Sequence, residues 1–289
     1  MLCFICICLY PNSWQSLSGN ANINQCSFSN VHSPSQNGGV ILFSGSTLEI
    51  GFSSFLSCSG SVGGVLFCTS TNFSLYENYF NNCSSTSHNG VSFVQSKYLN
   101  LLCNSVSYCK SDTYHMMNLN SQSSSAFRNY NHSFTKSGAN DIVLKCDQRV
   151  LNKYWMISNV INKEIGGLIY INAGEHYMEY IKIVDCVFGS QEGLIVQNSH
   201  SVVTGSFFYI WNCSKVNYKV NYNTGGVLNV NNSIVEYPQY LNADYSYNIH
   251  STGSYYFNTF DCSDNNKYQE TYGYNTINIH QYFLILILL

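Results

Sequence analysis

The sequence predicts an all-β fold, a parallel β-helix of about eight coils of roughly 26 residues with three short strands per coil. Three observations carry this: a row of glycines at a near-constant step, a second row of mostly cysteine at fixed phase to the first, and a composition unsuited to helices. Hydrophobic residues make up 45% of the 289, enough for a core, but charged residues only 9%. That is far below the usual quarter or so, and Ser, Asn, Thr and Tyr supply the polarity instead. These residues have mediocre helix propensity, and uncharged faces gain nothing from i,i+4 ion pairs, whereas strands and turns accept them. The formal charge of −3 with 12 Lys and Arg leaves no basic stripe, so nucleic acid is not an expected partner.

The first row is marked by Gly39, Gly64, Gly90, Gly167, Gly193 and Gly226, at steps of 25, 26, 77, 26 and 33. The step of 77 divides into 25, 25 and 27 if His115 and Asn140 stand where glycine is missing. An apolar start follows each marker, as in Val40-Ile41-Leu42, Val65-Leu66-Phe67 and Leu168-Ile169-Tyr170. Glycine there suits a turn with positive φ, or a corner where a Cβ would clash.

The second row lies 19 residues past the markers at Cys58, Cys83, Cys109, Phe134, Asn159 and Cys186, with Cys213 at 20 past Gly193. An apolar residue precedes most of these by three, as at Phe55, Phe80, Val106, Ile183 and Ile210. Such a row reads as an inward structural ladder of Cys58, Cys83, Cys109, Cys186 and Cys213. Consecutive ladder cysteines at a coil spacing of about 4.8 Å, with parallel Cβ vectors, exceed the roughly 3.8 Å that disulfides prefer, so mainly free thiols are expected. Leucine-rich repeats need an L-x-x-L-x-L framework and propeller blades run nearer 40 residues, so neither competes. Eight coils would make a rod about 40 Å long.

Spacing also locates loops and boundaries. Cys26 to Gly39 and Cys213 to Gly226 each span 13 residues, predicting bulges at 27–37 and 214–224. Residues 1–19 read as a truncated signal or an N-terminal cap, 20–236 as the β-helix and 237–281 as a Tyr-rich irregular last coil or cap. Residues 282–289, "YFLILILL", form an apolar tail well short of the roughly 20 residues a membrane helix needs. The tail is either a clipped membrane segment or a greasy final strand, and the apolar run Leu2–Tyr10 either a short signal or a first strand.

Gly-Gly-apolar followed by Phe/Tyr-x-x-Asn/Cys carries a family likeness. The residues are Gly38-Gly39-Val40, Gly63-Gly64-Val65, Gly166-Gly167-Leu168 and Gly225-Gly226-Val227, with the segments ending at Cys83, Cys186, Cys213 and Cys262. The pattern resembles the paired motifs of polymorphic outer membrane proteins. It is still more similar to the asparagine- and cysteine-rich β-helix surface proteins of trichomonad protozoa. The resemblance implies a right-handed, pectin-lyase-like β-helix at the cell surface or secreted, with a role in adhesion or display, a host or neighbouring-cell protein or glycan as partner, and a membrane anchor at the C-terminus. It implies no cofactor and brings no catalytic residues.

The alternative function is a polysaccharide lyase or glycosidase on the same fold, which needs clustered carboxylates with Arg or Lys. The candidate set is Asp147, seven past its marker, Glu175, eight past its own in the next coil, and Arg149. A metal pair of His176 and His200, nine and seven past their markers, is a weaker candidate than two polar corner residues, and no metal or cofactor is expected. Five Asn-x-Ser sequons occur, at Asn72, Asn82, Asn131, Asn212 and Asn231. Asn82 and Asn212 precede ladder cysteines and should point outward.

Overall fold

A computed structural model describes residues 13–162, 167–187, 194–197, 200–213, 221–223, 226–238 and 243–252. The chain is an all-β parallel solenoid of about eight turns with a repeat of about 26 residues. The described strands stack in parallel, each beside its counterpart one turn away: Ile41 pairs with Leu66, Leu66 with Ser92, Ser92 with Met117, Met117 with Ile142 and Ile142 with Ile169. A typical turn contributes a long strand such as Leu66–Tyr76, a three-residue strand such as Tyr79–Asn81, and a third short strand such as the five-residue Ser84–His88. The first two build one sheet and the third a second sheet. No described helix is long and apolar enough to cross a membrane.

Two corners recur along the solenoid and share one design. A non-glycine residue takes left-handed backbone angles and the next side chain turns inward, in many turns bonding the carbonyl two residues back. At the first corner the left-handed column includes Phe52, Glu77, Cys103, Asn129, Tyr154 and Tyr180. Behind it Ser53 donates to the Gly51 carbonyl at 2.8 Å and Asn104 to that of Leu102 at 3.1 Å. The backbone N–H groups of Ser53 and Asn78 in turn donate to Asn78 Oδ1 and Asn104 Oδ1, both at 3.1 Å, so the inner side chains link successive coils.

At the second corner the left-handed column includes Ser57, Asn82, Tyr108, Phe134, Asn159, Asp185 and Asn212. There the ladder cysteines act as the inner residue. Cys83 Sγ donates to the Asn81 carbonyl at 3.3 Å, Cys109 to Ser107 at 3.2 Å and Cys213 to Trp211 at 3.3 Å. Cysteine suits the place because it is small and apolar yet carries a weak donor that a corner carbonyl can use. Cys58, Cys83, Cys109, Cys186 and Cys213 are all buried and reduced. Cys103, on the first left-handed column, is disulfide-bonded.

The markers divide the conformational work. Positive φ falls on the preceding residue, Gly63 at 65°. Gly64 itself lacks room: a Cβ there would lie 2.1 Å from the Ser84 carbonyl oxygen and 2.2 Å from that of Gly90. His115 and Asn140 do continue the row, and they hydrogen bond along it, the Asn140 carbonyl meeting His115 Nδ1 at 3.1 Å and Asn140 Oδ1 accepting from Gly167 N at 2.7 Å.

Four phase assignments change. The inward residues at the second corner are Thr135 and Val160, which the pairings Lys110–Lys136 and Lys136–Ile161 place in line with Cys109. Phe134 and Asn159 are the left-handed residues one step earlier, because these coils carry one extra residue before the corner. Gly226 is not a marker, since Ile195 pairs with Asn221 and Val202 with Val227, which puts Val227 half a strand further on. The expected bulge at 214–224 therefore ends in a strand, Asn221–Asn223. Cys26 likewise lies at the first corner, in line with Ser53, so 27–37 contains two paired strands, Ser27–Ser29 and His32–Ser33, in place of a bulge.

Among the described residues, pairing is already present at Gln15 with Ile41, ahead of residue 20, and extends to Tyr245–His250 beside Val227–Val235 at a shortened offset. Gly193, Cys262, the run Leu2–Tyr10 and the tail 282–289 lie outside the described residues.

Inside, columns of like side chains rise through the core. Phe28, Phe55 and Phe80 stack at 5.1 and 4.9 Å with their ring planes nearly parallel, and Val106, Ile157, Ile183 and Ile210 continue that column. Parallel stacking at the coil spacing retains the burial gain of each ring and adds favourable ring contact.

Candidate functional site

The outer face of the long-strand sheet holds the candidate site. Three outward columns run up it. One carries Asn72, Tyr98, Ser124 and Arg149, the next Ser74, Asn100, Ala126, Leu151 and Tyr177, and the third Tyr76, Leu102, Arg128, Lys153 and Glu179. Ser124 and Ala126 are small residues between Tyr98 and Asn100 below and Arg149 and Leu151 above. The step in side-chain height opens a groove of about 440 Å³ lined by these residues and by Arg128.

The only two arginines of the chain both line this groove, and no carboxylate does. Neither makes an ion pair among the described residues. Lys153, the coil neighbour of Arg128, holds Glu179 at 2.8 Å, and that bond raises the lysine's pKa. Arg149 lies over the Tyr177 ring at 4.3 Å, while the Tyr177 hydroxyl donates to Glu175 at 3.4 Å. Tyr98 is 45% exposed at the groove wall.

The two candidate carboxylates are not register partners. Glu175 is the coil partner of Arg149, and Asp147 sits in a bulge where the chain from Lys145 to Arg149 spans only Ala173 to Glu175 in the next coil. The extra residues between Lys145 and Arg149 remove Asp147 from the register that equal offsets assume. Nor do the two histidines meet in register. His176 pairs with Val203 and is buried, whereas His200 is exposed beside the Gly174 amide that donates to its carbonyl. No group of three metal-binding side chains gathers among the described residues.

A second cluster lies wholly inside. His132 takes the place of Val106 and Ile157 in the phenylalanine column, Thr135 that of Cys109 and Val160, and Asp141 that of Met116 and Leu168. The side chains of His132 and Asp141 are 0% exposed and in contact through Nε2 and Oδ2. Thr135 Oγ1 reaches His132 Nε2 at 3.0 Å and Asp141 Oδ2 at 3.1 Å. His132 Nδ1 meets the Tyr130 hydroxyl at 2.7 Å, and burial, reinforced by Asp141, pushes the Tyr130 pKa well up. Asp141 Oδ1 finds no partner. Enclosed on every side by apolar columns, the cluster has no face on which to meet a substrate, and its role is structural.

The sequons divide by exposure. Asn72, Asn82 and Asn212 are exposed, the last two at the left-handed corner, while Asn131 and Asn231 are half-buried with buried Oδ1 atoms. Comparison with protein-family models, characterised proteins and solved structures found no match to this chain.

Proposed function

We propose that the protein is a non-enzymatic β-helix scaffold displayed at a cell surface or secreted, with an adhesive or structural role, of the kind its likeness to trichomonad surface proteins and polymorphic outer membrane proteins implies. The supporting observation is the outward surface itself. Aromatic side chains stand stacked and solvent-facing at the left-handed corners, Tyr108 on Phe134 at 4.9 Å and Tyr154, Tyr180 and Phe207 in series at 5.0 and 4.8 Å. A bulky residue in the left-handed region costs on the order of 1–2 kcal/mol that Gly or Asn would avoid. Exposing Phe134 to 39% and Tyr108 to 48% adds to that cost. Rigid aromatic rows at coil spacing return it as contact area of low entropy cost, suited to a protein or glycan partner.

Antibody staining of intact and permeabilised cells expressing a tagged chain tests the proposal. Staining of intact cells supports it, and staining only after permeabilisation overturns it. The alternative is a polysaccharide-cleaving enzyme, whose motivating residues Asp147 and Glu175 are not register partners.

A further inference from the structure

We infer that the groove between Tyr98 and Arg149 binds an extended acidic glycan, a chain of sugars bearing carboxylate or sulfate groups. The inference deepens the display reading and rests on it. A protein of net charge −3 that places both of its arginines in one groove, without a carboxylate in the lining, presents a local positive field against its overall charge. Of the nearby carboxylates, Glu179 is engaged by Lys153 and Glu175 by Tyr177, and Asp147, two residues before Arg149, lies outside the groove lining. The guanidinium fork suits carboxylate or sulfate oxygens by paired charge-assisted bonds.

The spacing selects a chain over a single anion. Arg128 pairs with Lys153, four residues along the strand from Arg149. At about 3.3 Å per residue and 4.8 Å between coils, the two Cα atoms stand about 14 Å apart, so each arginine meets a different part of a long ligand. What lies between them suits sugar better than peptide or nucleic acid. The exposed Tyr98 ring offers a flat face at the wall, and Asn72, Asn100 and Ser124 offer short hydroxyl and amide groups for sugar hydroxyls. The volume of about 440 Å³ falls within the usual range of small-ligand sites, room for a short stretch of a longer chain that continues over the flat sheet.

The test is binding of the whole protein to immobilised heparin, polygalacturonate, dextran and polyglutamate, compared with Arg128→Gln/Arg149→Gln and with Tyr98→Ala. All three substitutions fall on exposed side chains, and circular dichroism confirms that each variant keeps the wild-type fold. Expected are binding to heparin or polygalacturonate, none to dextran, and a loss of about tenfold or more in the double arginine variant, equivalent to about 1.4 kcal/mol. Tyr98→Ala should weaken glycan binding and leave any polyglutamate binding unchanged. Absence of acidic-glycan binding by the folded protein, or binding that ignores both arginines, overturns the inference. Equal binding to polyglutamate overturns the glycan assignment in favour of a generic polyanion or acidic peptide. Because surface staining is measured independently, the groove can fail while the display reading stands.

Discussion

Replacing Asp141 by leucine asks whether the buried polar level stabilises the coil or merely satisfies itself. The column supplies the design, since Met116 and Leu168 stand directly below and above Asp141. The single substitution takes two contacts from Asp141 Oδ2 and leaves His132 buried with Thr135 and Tyr130 as its remaining partners. Leaving a buried polar group short of a partner costs about 1–3 kcal/mol, and since Thr135 still reaches His132 about 2 kcal/mol is expected here. The fourfold change Tyr130→Phe, His132→Val, Thr135→Val and Asp141→Leu rewrites the level in the language of its neighbours. Well-packed apolar replacements of buried polar sets are commonly neutral or stabilising by about 1–4 kcal/mol. Denaturant unfolding followed by circular dichroism reads both. The account predicts a lower midpoint for Asp141→Leu and a midpoint at or above wild type for the fourfold variant. A neutral single substitution, or a fourfold variant less stable than the single one, would refute the reasoning, because the network would then be either idle or irreplaceable.

His176 and Gly64 supply two further tests. His176 is buried between Val150 and Val203, and burial lowers its pKa to about 4 from an ordinary 6.5. The unfolded chain therefore takes up a proton that the fold refuses, so stability should be full above about pH 6.5, fall by about 3 kcal/mol towards pH 4, and level off below. In His176→Val this share of the pH dependence should vanish; an unchanged slope in denaturation midpoints across that window would count against the burial argument. Gly64→Ala drives a methyl into two backbone oxygens and should cost about 2 kcal/mol or more, whereas Gly19→Ala meets open space and only the strain of φ +78°, about 1 kcal/mol. Equal losses of melting temperature in the two variants would contradict the corner geometry.

The sequence makes the repeat legible because a solenoid writes its register as a period. The glycine marker, its substitutes His115 and Asn140, and most of the cysteine row follow from counting. Counting fails where a coil gains or loses residues inside the period. One extra residue moves the inward place from Phe134 to Thr135, and the bulge after Lys145 takes Asp147 out of register with Glu175. The polar level was hidden for the same reason. His132, Thr135 and Asp141 are inconspicuous in sequence, and only correct phase shows that each interrupts an apolar column. The first-corner row of Ser53, Asn78 and Asn104 was visible as a spacing of 25 and 26 but lost among many asparagines. The groove depends on side-chain height across three columns, which no spacing reports, although two arginines 21 residues apart in so uncharged a chain were a usable signal.

Differential alkylation with mass mapping tests the central claim, that the cysteine row is an inward column of one continuous solenoid. Burial pushes the pKa of Cys68 and Cys146 up to about 12 and raises those of Cys83 and Cys186, while at Cys58 the hydrogen bond that its thiol donates to Cys83 is the largest cause of a raised pKa, with burial second. The account predicts that Cys58, Cys68, Cys83, Cys109, Cys146, Cys186 and Cys213 resist iodoacetamide at pH 8 in the native protein and are all labelled once it is unfolded without reductant. Rapid labelling of the ladder in the folded chain, or recovery of Cys58 with Cys83 or Cys186 with Cys213 as disulfides, would contradict it.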